Sequence, residues 1–159
     1  MEDDKLLNID SLMQYGFVEC GRWSLSDGGL KPNIFYKAVR KVIYAFATKT
    51  RVGYIGITDE TLYHRLRKGY SPAVDAGIID RINNGENVTI LFFKPDKIKF
   101  DGIKIDLLRA LEIPLQRKFK TQWTTMGYGG LKRILDPIVE GILDQISTEE
   151  KDNKKENNL

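Results

Sequence analysis

Two phenols, a guanidinium and a glycine-bearing strand lie close together in the first half of this 159-residue sequence. Val42-Ile43-Tyr44-Ala45-Phe46 and Val52-Gly53-Tyr54-Ile55-Gly56-Ile57 are short β-prone runs separated by the polar Thr48-Lys49-Thr50-Arg51, the pattern of an antiparallel hairpin. A helix-like stretch follows, with Leu62 and Leu66 on one face and Arg65 beside them. A hairpin plus a helix would gather Tyr44, Tyr54 and Arg65 into one small unit. Such a set suits a phosphodiester. The guanidinium is a fork for phosphate oxygens that a lysine could not reproduce. A phenol can position or deprotonate water, but with a pKa of about 10 it is a poor base unless cationic surroundings and a metal-bound water share that work.

The elements that must position these groups are readable in outline. Residues 1–40 form an N-terminal extension that packs on the core, because Phe17, Trp23, Phe35 and Tyr36 need burial. Phe17–Trp23 is a short extended piece, and Ser26-Asp27-Gly28-Gly29 and Pro32-Asn33 are turns. Thr58 or Asp59 caps the Arg65 helix, which ends near Gly69. Val74–Ile82 has helical spacing and stops at Asn83-Asn84-Gly85, and Val88–Phe93 is the strongest strand signal. Pro95–Ile105 is a lysine-bearing loop or hairpin that turns at Asp101-Gly102. Leu108, Leu111, Leu115, Phe119 and Trp123 recur at helical spacing, and Pro114 places the helix start close to Glu112. Gly127–Gly130 is a turn, not a phosphate cradle. Asp136-Pro137 opens a last helix within a segment 128–147, with an apolar stripe from Ile138 to Ile146 that serves as core or dimer seam, and 148–159 is a disordered, solvated tail.

Composition narrows the chemistry. The single cysteine, Cys20, excludes an internal disulfide framework and any Cys-rich zinc site, and reads as a small buried apolar residue. With the single histidine, His64, zinc catalysis would have to rest mainly on carboxylates, which points instead to Mg²⁺ (or Mn²⁺) as the metal. His64 itself reads as a solvated helix residue. The net charge of +3 and pI near 8.9 fit a polyanionic partner. No apolar run reaches a membrane span, and the acidic Met1–Lys5 start carries no apolar signal core, so a cytoplasmic protein is expected. Arg67, Lys68, Arg117, Lys118 and Lys120 are the candidates for tracking a nucleic-acid backbone.

The order Ile43-Tyr44, Gly53-Tyr54-Ile55-Gly56, Leu62…Arg65-Leu66, Leu111-Glu112 and Trp123 resembles the GIY-YIG nuclease superfamily across residues 41–127. Tyr70-Ser71-Pro72 and the spacing to Glu112 are most similar to its small bacterial and phage branch, which includes restriction endonucleases. The resemblance implies an α/β (α+β) core with a three-stranded antiparallel sheet flanked by helices. It implies a metal-dependent DNA endonuclease, monomer or homodimer, that leaves 5′-phosphate and 3′-hydroxyl ends. Tyr44 and Tyr54 match the two motif tyrosines, Arg65 the helix arginine, and Glu112 the single metal-binding carboxylate. Where many members carry a histidine after the arginine, this chain has Arg67-Lys68-Gly69-Tyr70, which makes Tyr70 the fifth site candidate. Thr124 stands in place of an asparagine that often follows the tryptophan. The alternative reading is a nucleic-acid-binding protein on the same scaffold with weak or no turnover.

Overall fold

In the computed structural model of the chain, which describes residues 8–121 and 123, a β-sheet separates two apolar layers. The short helix α1 (Ile9–Gln14) starts at Asn8, whose side chain accepts from the backbone N–H of Asp10 and Ser11. Then come β1 (Val18–Ser26), β2 (Gly29–Ile34), β3 (Arg40–Ala47), β4 (Val52–Thr61), α2 (Leu62–Arg67), α3 (Pro72–Asn83), β5 (Thr89–Phe93), β6 (Ile98–Phe100), β7 (Ile103–Ile105) and α4 (Leu107–Phe119). No helix among the described residues is long and apolar enough to cross a membrane.

The sheet is antiparallel and five-stranded, in the order β2-β1-β5-β3-β4. The expected three-stranded sheet is therefore too small. Its strands are β3, β4 and β5, and the segment read as a wrapped extension contributes β1 and β2. The extended piece Phe17–Trp23 is the first part of β1, but the strand runs on to Ser26, and Pro32, taken for a turn residue, lies in β2 opposite Trp23. Proline is tolerated there because β2 is an edge strand with one unpaired side. The β6–β7 ribbon is the expected hairpin, turning at Asp101-Gly102.

Strand alternation sends residues to opposite faces. Val42, Tyr44 and Phe46 meet Leu62, Leu66, Val74 and Ile78 of α2 and α3 on one side. Ile43, Ala45 and Ala47 meet Leu12, Leu108 and Phe119 of α1 and α4 on the other, with Leu111 and Leu115 packed against them. Helix boundaries depart from expectation twice. β4 runs on to Thr61, whose hydroxyl caps α2 by accepting from His64 N–H, so neither Thr58 nor Asp59 is the cap. Asp106 caps α4 six residues before Glu112, which leaves Pro114 inside the helix. A proline there gives up one helical hydrogen bond, and the buried face of α4 carries the helix through it. Glu112 is thus mid-helix, not near its start. The expected last helix, Gly127–Gly130 and Thr124 lie outside the described residues.

One polar contact locks α4 to the sheet: Gln116, fully buried, donates Nε2–H to the carbonyl of Ile55 on β4 at 2.8 Å. Replacing Gln116 by methionine keeps the volume but strips a buried carbonyl of this donor. The expected outcome is a loss of about 1–3 kcal/mol in urea unfolding, and an unchanged midpoint would mean that the contact does not hold the helix.

Candidate active site

Strands β3 and β4 pair with Tyr44 opposite Gly56 and Phe46 opposite Tyr54. Tyr44 and Tyr54 therefore come from neighbouring strands onto the α2 face of the sheet, with ring centroids 5.8 Å apart. Tyr70, in the link between α2 and α3, closes the group. Its hydroxyl donates to the Tyr44 hydroxyl at 3.1 Å, and its ring stands edge-on to Tyr54 at 5.3 Å. Gly56 makes this possible: a Cβ there would lie 2.8 Å from the Tyr54 ring and 3.0 Å from that of Tyr44. Gly53 and Gly77 serve the same end on either side of the Trp123 indole, whose ring would collide with a Cβ at either position. Trp123 also donates its backbone N–H to Gly53.

Arg65 projects from α2 onto this cluster. Its guanidinium lies 4.6 Å over the Tyr70 ring and donates to the carbonyl of Gly69 at 3.3 Å. Burial opposes its charge, but the hydroxyls of Tyr44, Tyr70 and Tyr54 and the carboxylate of Glu60 outweigh that and raise its pKa. Burial likewise pushes the Tyr44 phenol well above its ordinary value, helped by Tyr70 and Tyr54 and opposed by Arg65. Tyr70 is raised for the same leading reason. Both phenols are neutral at physiological pH. In that form they hydrogen-bond and orient, and they do not act as bases on their own.

Glu112 approaches from the other layer. Arg109, Glu112 and Gln116 are spaced to share one stripe of α4. Arg109 pairs with Asp59 on β4 at 2.7 Å, and Gln116 binds Ile55 on the same strand. Glu112 lies on the stripe between those two anchors, both of which hold α4 to the edge strand β4. It is half-buried, burial raises its pKa, and Arg109 pulls the other way. Among the described residues it makes no hydrogen bond or ion pair, and no direct contact joins it to the tyrosines. No group of three or more His, Cys, Asp and Glu converges among the described residues. A lone, partly desolvated carboxylate without a partner suits Mg²⁺, which takes one or two protein carboxylates and fills its other positions with water and phosphate oxygens.

The basic candidates divide. Arg67 ends α2 and lines a cleft with Tyr70, and Lys68, the C-cap of that helix, is held by Glu60 at 2.6 Å. Arg117, Lys118 and Lys120 belong to the end of α4, in the opposite layer, where Lys118 sits over Tyr15. His64 is exposed, 3.9 Å from Glu60, and makes no contact with the tyrosines. Cys20 is buried against the carbonyl of Ile90 and its thiol is pushed up to about 12, mainly by burial, as befits a structural residue. Three contributors were missed: Phe46, stacked on Tyr54 at 5.1 Å, Trp23, edge-on to Phe46 at 5.3 Å, and Glu60. The alternation of β3 puts Phe46 on the Tyr44 face and could have revealed it. Trp23 was read only as the end of a short extended piece in need of burial.

The tyrosine shifts fix a pH response. A phenol whose folded pKa is raised stabilises the fold fully below the unfolded value of about 10 and loses that contribution as pH rises toward the folded value. Urea stability should fall from about pH 10 upward, and the fall should be shallower in Tyr44→Phe and Tyr70→Phe. Identical alkaline slopes in all three proteins would contradict the buried, neutral cluster.

No family model matches the chain, and no curated protein matches its sequence. Solved structures do. A mutant of bacteriophage T4 EndoII aligns at a TM-score of 0.53 with 19% identity, over 72% of this chain and 96% of that one. The restriction endonuclease HPY188I in complex with product DNA aligns at a TM-score of 0.41 with 10% identity, over 74% of this chain and 84% of that one. The likeness to EndoII establishes a common fold.

Proposed function

We propose that this protein is a divalent-metal-dependent DNA endonuclease of the GIY-YIG type, acting at the Tyr44–Tyr54–Tyr70–Arg65 cluster with Glu112 as metal ligand. The observation that carries the reading is the convergence itself. Tyr44, Tyr54, Tyr70 and Arg65, matched to the motifs of one nuclease superfamily, pack together on the α2 face of the sheet, and Glu112 lies on the α4 stripe anchored to the same strand β4. The fold shared with the phage EndoII protein supports it.

Each group has a task its environment suits. Arg65, charged and fixed against Tyr70, would hold the non-bridging oxygens of the scissile phosphate and offset the charge that grows on them. Tyr44, neutral and accepting from Tyr70, keeps its own proton to orient the attacking water, whose proton passes to solvent or a phosphate oxygen. Tyr54 walls this pair on the strand side. Glu112 would hold Mg²⁺ or Mn²⁺, which when bound supplies a more acidic water and stabilises the leaving 3′-oxygen. The products are 5′-phosphate and 3′-hydroxyl ends. The raised Tyr44 phenol and the exposed, remote His64 favour a second reading, a DNA-binding protein on this scaffold with weak turnover.

Plasmid nicking in Mg²⁺ separates the readings. The wild type should linearise supercoiled DNA and stop in EDTA. Arg65→Lys should slow cleavage by about 10²–10³-fold, the scale of removing one transition-state donor. Glu112→Ala should abolish cleavage while DNA retention persists. Cleavage that is indifferent to both substitutions would refute the site, and salt-dependent binding without any wild-type cleavage would select the second reading.

A further inference from the structure

A cleft of about 520 Å³ opens between β2 and the α2–α3 layer, lined by Trp23, Lys31, Tyr63, Arg67, Tyr70 and Asp75 among others. Tyr70 belongs to both places: it walls this cleft and hydrogen-bonds Tyr44. The cleft therefore adjoins the candidate site. Two cations on its walls come from separate elements, Lys31 from β2 and Arg67 from α2. Lys37, on the β2–β3 connection, stands beside the walls, 4.9 Å over the ring of the lining Tyr63 that Arg67 also approaches at 5.4 Å. None of the three is engaged in an ion pair among the described residues. The excess is written into the chain: residues 28–58 contain Lys31, Lys37, Arg40, Lys41, Lys49 and Arg51 and no carboxylate. Trp23, 5% exposed, adds an indole N–H that finds no hydrogen-bond partner among the described residues. Asp75 is the one carboxylate on the walls, and burial biases it toward its neutral form.

We propose that this cleft carries the stretch of DNA strand next to the scissile phosphate, with Lys31, Lys37 and Arg67 on its backbone phosphates. The β1–β2 hairpin then belongs to the DNA-binding surface as well as to the sheet. This deepens the nuclease reading and rests on it for the identity of the strand. The chemistry of the walls selects the occupant. Several unpaired cations with an unfilled N–H donor suit a polyanion with regularly spaced charges, and a single small anion would leave most of them unused. The Tyr63 and Tyr70 rings already carry cations over them, and Trp23 stands edge-on to Tyr70 and Phe46, so the cleft has little free platform for a stacked base.

The test measures duplex binding to the full chain by fluorescence anisotropy in EDTA across a salt series, which takes catalysis out of the readout. The double variant Lys31→Gln/Lys37→Gln should lower the slope of log K against log salt by about 1.8, at roughly 0.9 per lost phosphate contact. Lys49→Gln, a cation from the same acid-free stretch but on the β3–β4 turn, should leave it unchanged. In Mg²⁺ the double variant should raise KM and spare kcat. An unchanged slope in the double variant, with wild-type cleavage intact, overturns the strand path and leaves the nuclease reading standing. An equal drop with Lys49→Gln overturns it too, as unspecific charge. A reduced slope in a protein that never cleaves supports the path and sinks the catalytic reading. A wild type that does not bind DNA overturns both.

Discussion

Everything in this site depends on what strand β4 lacks. At Gly56 the absence of a side chain lets the Tyr44 and Tyr54 rings close over the backbone, and at Gly53 it lets the Trp123 indole lie against the strand. A methyl group at either point would occupy space that aromatic carbons already fill, and close-packed interiors have no slack to absorb it. The glycines cost conformational entropy and strand propensity. The ring packing they permit offsets that cost and leaves an edge strand along which groups from both layers can meet.

The two layers hold their residues by different means. On the α2 face the tyrosines are set by strand register and by one hydroxyl–hydroxyl contact, with Arg65 drawn in over Tyr70. On the α4 face the placement of Glu112 is a consequence of its neighbours on the helix stripe: the Arg109–Asp59 pair and the Gln116–Ile55 hydrogen bond fasten α4 to β4 on either side of it. The Arg109–Asp59 pair is exposed and so contributes little to stability. The buried Gln116 contact is the stronger anchor, because the Ile55 carbonyl would otherwise be left without this donor. Burial then keeps the Tyr44 and Tyr70 phenols neutral and raises the Glu112 carboxyl, so one physical cause acts in both layers.

Much of this was legible in the residues. The runs of Val, Ile, Phe and Tyr in β3, β4 and β5 announce themselves, and the Asn83-Asn84-Gly85 stop for α3 is where the backbone turns. The tyrosine pair and Arg65 are close in sequence, so a hairpin and a helix suffice to join them. Strand β1 was read only as the short piece Phe17–Trp23, and β2 was hidden because Pro32 carries a turn signal that an edge position overrides. The start of α4 was misjudged because Pro114 is tolerated mid-helix when the surrounding face is buried. The placement of Glu112 alongside β4 was beyond sequence reasoning, since it depends on Asp59 and Ile55, which lie 50 and 61 residues from their partners. The cationic cleft was missed for the same reason as β2 itself.

The central claim is that the edge of β4 brings a metal ligand from α4 and a phosphate clamp from α2 to one phosphodiester. Paramagnetic broadening of backbone amide signals by Mn²⁺, in the complex with a non-cleavable phosphorothioate duplex, tests it most directly. The account predicts broadening centred on Glu112 and Gly56 and reaching Tyr54 and Arg65. Broadening centred on another carboxylate cluster, or none beyond that seen in Glu112→Gln, would contradict it.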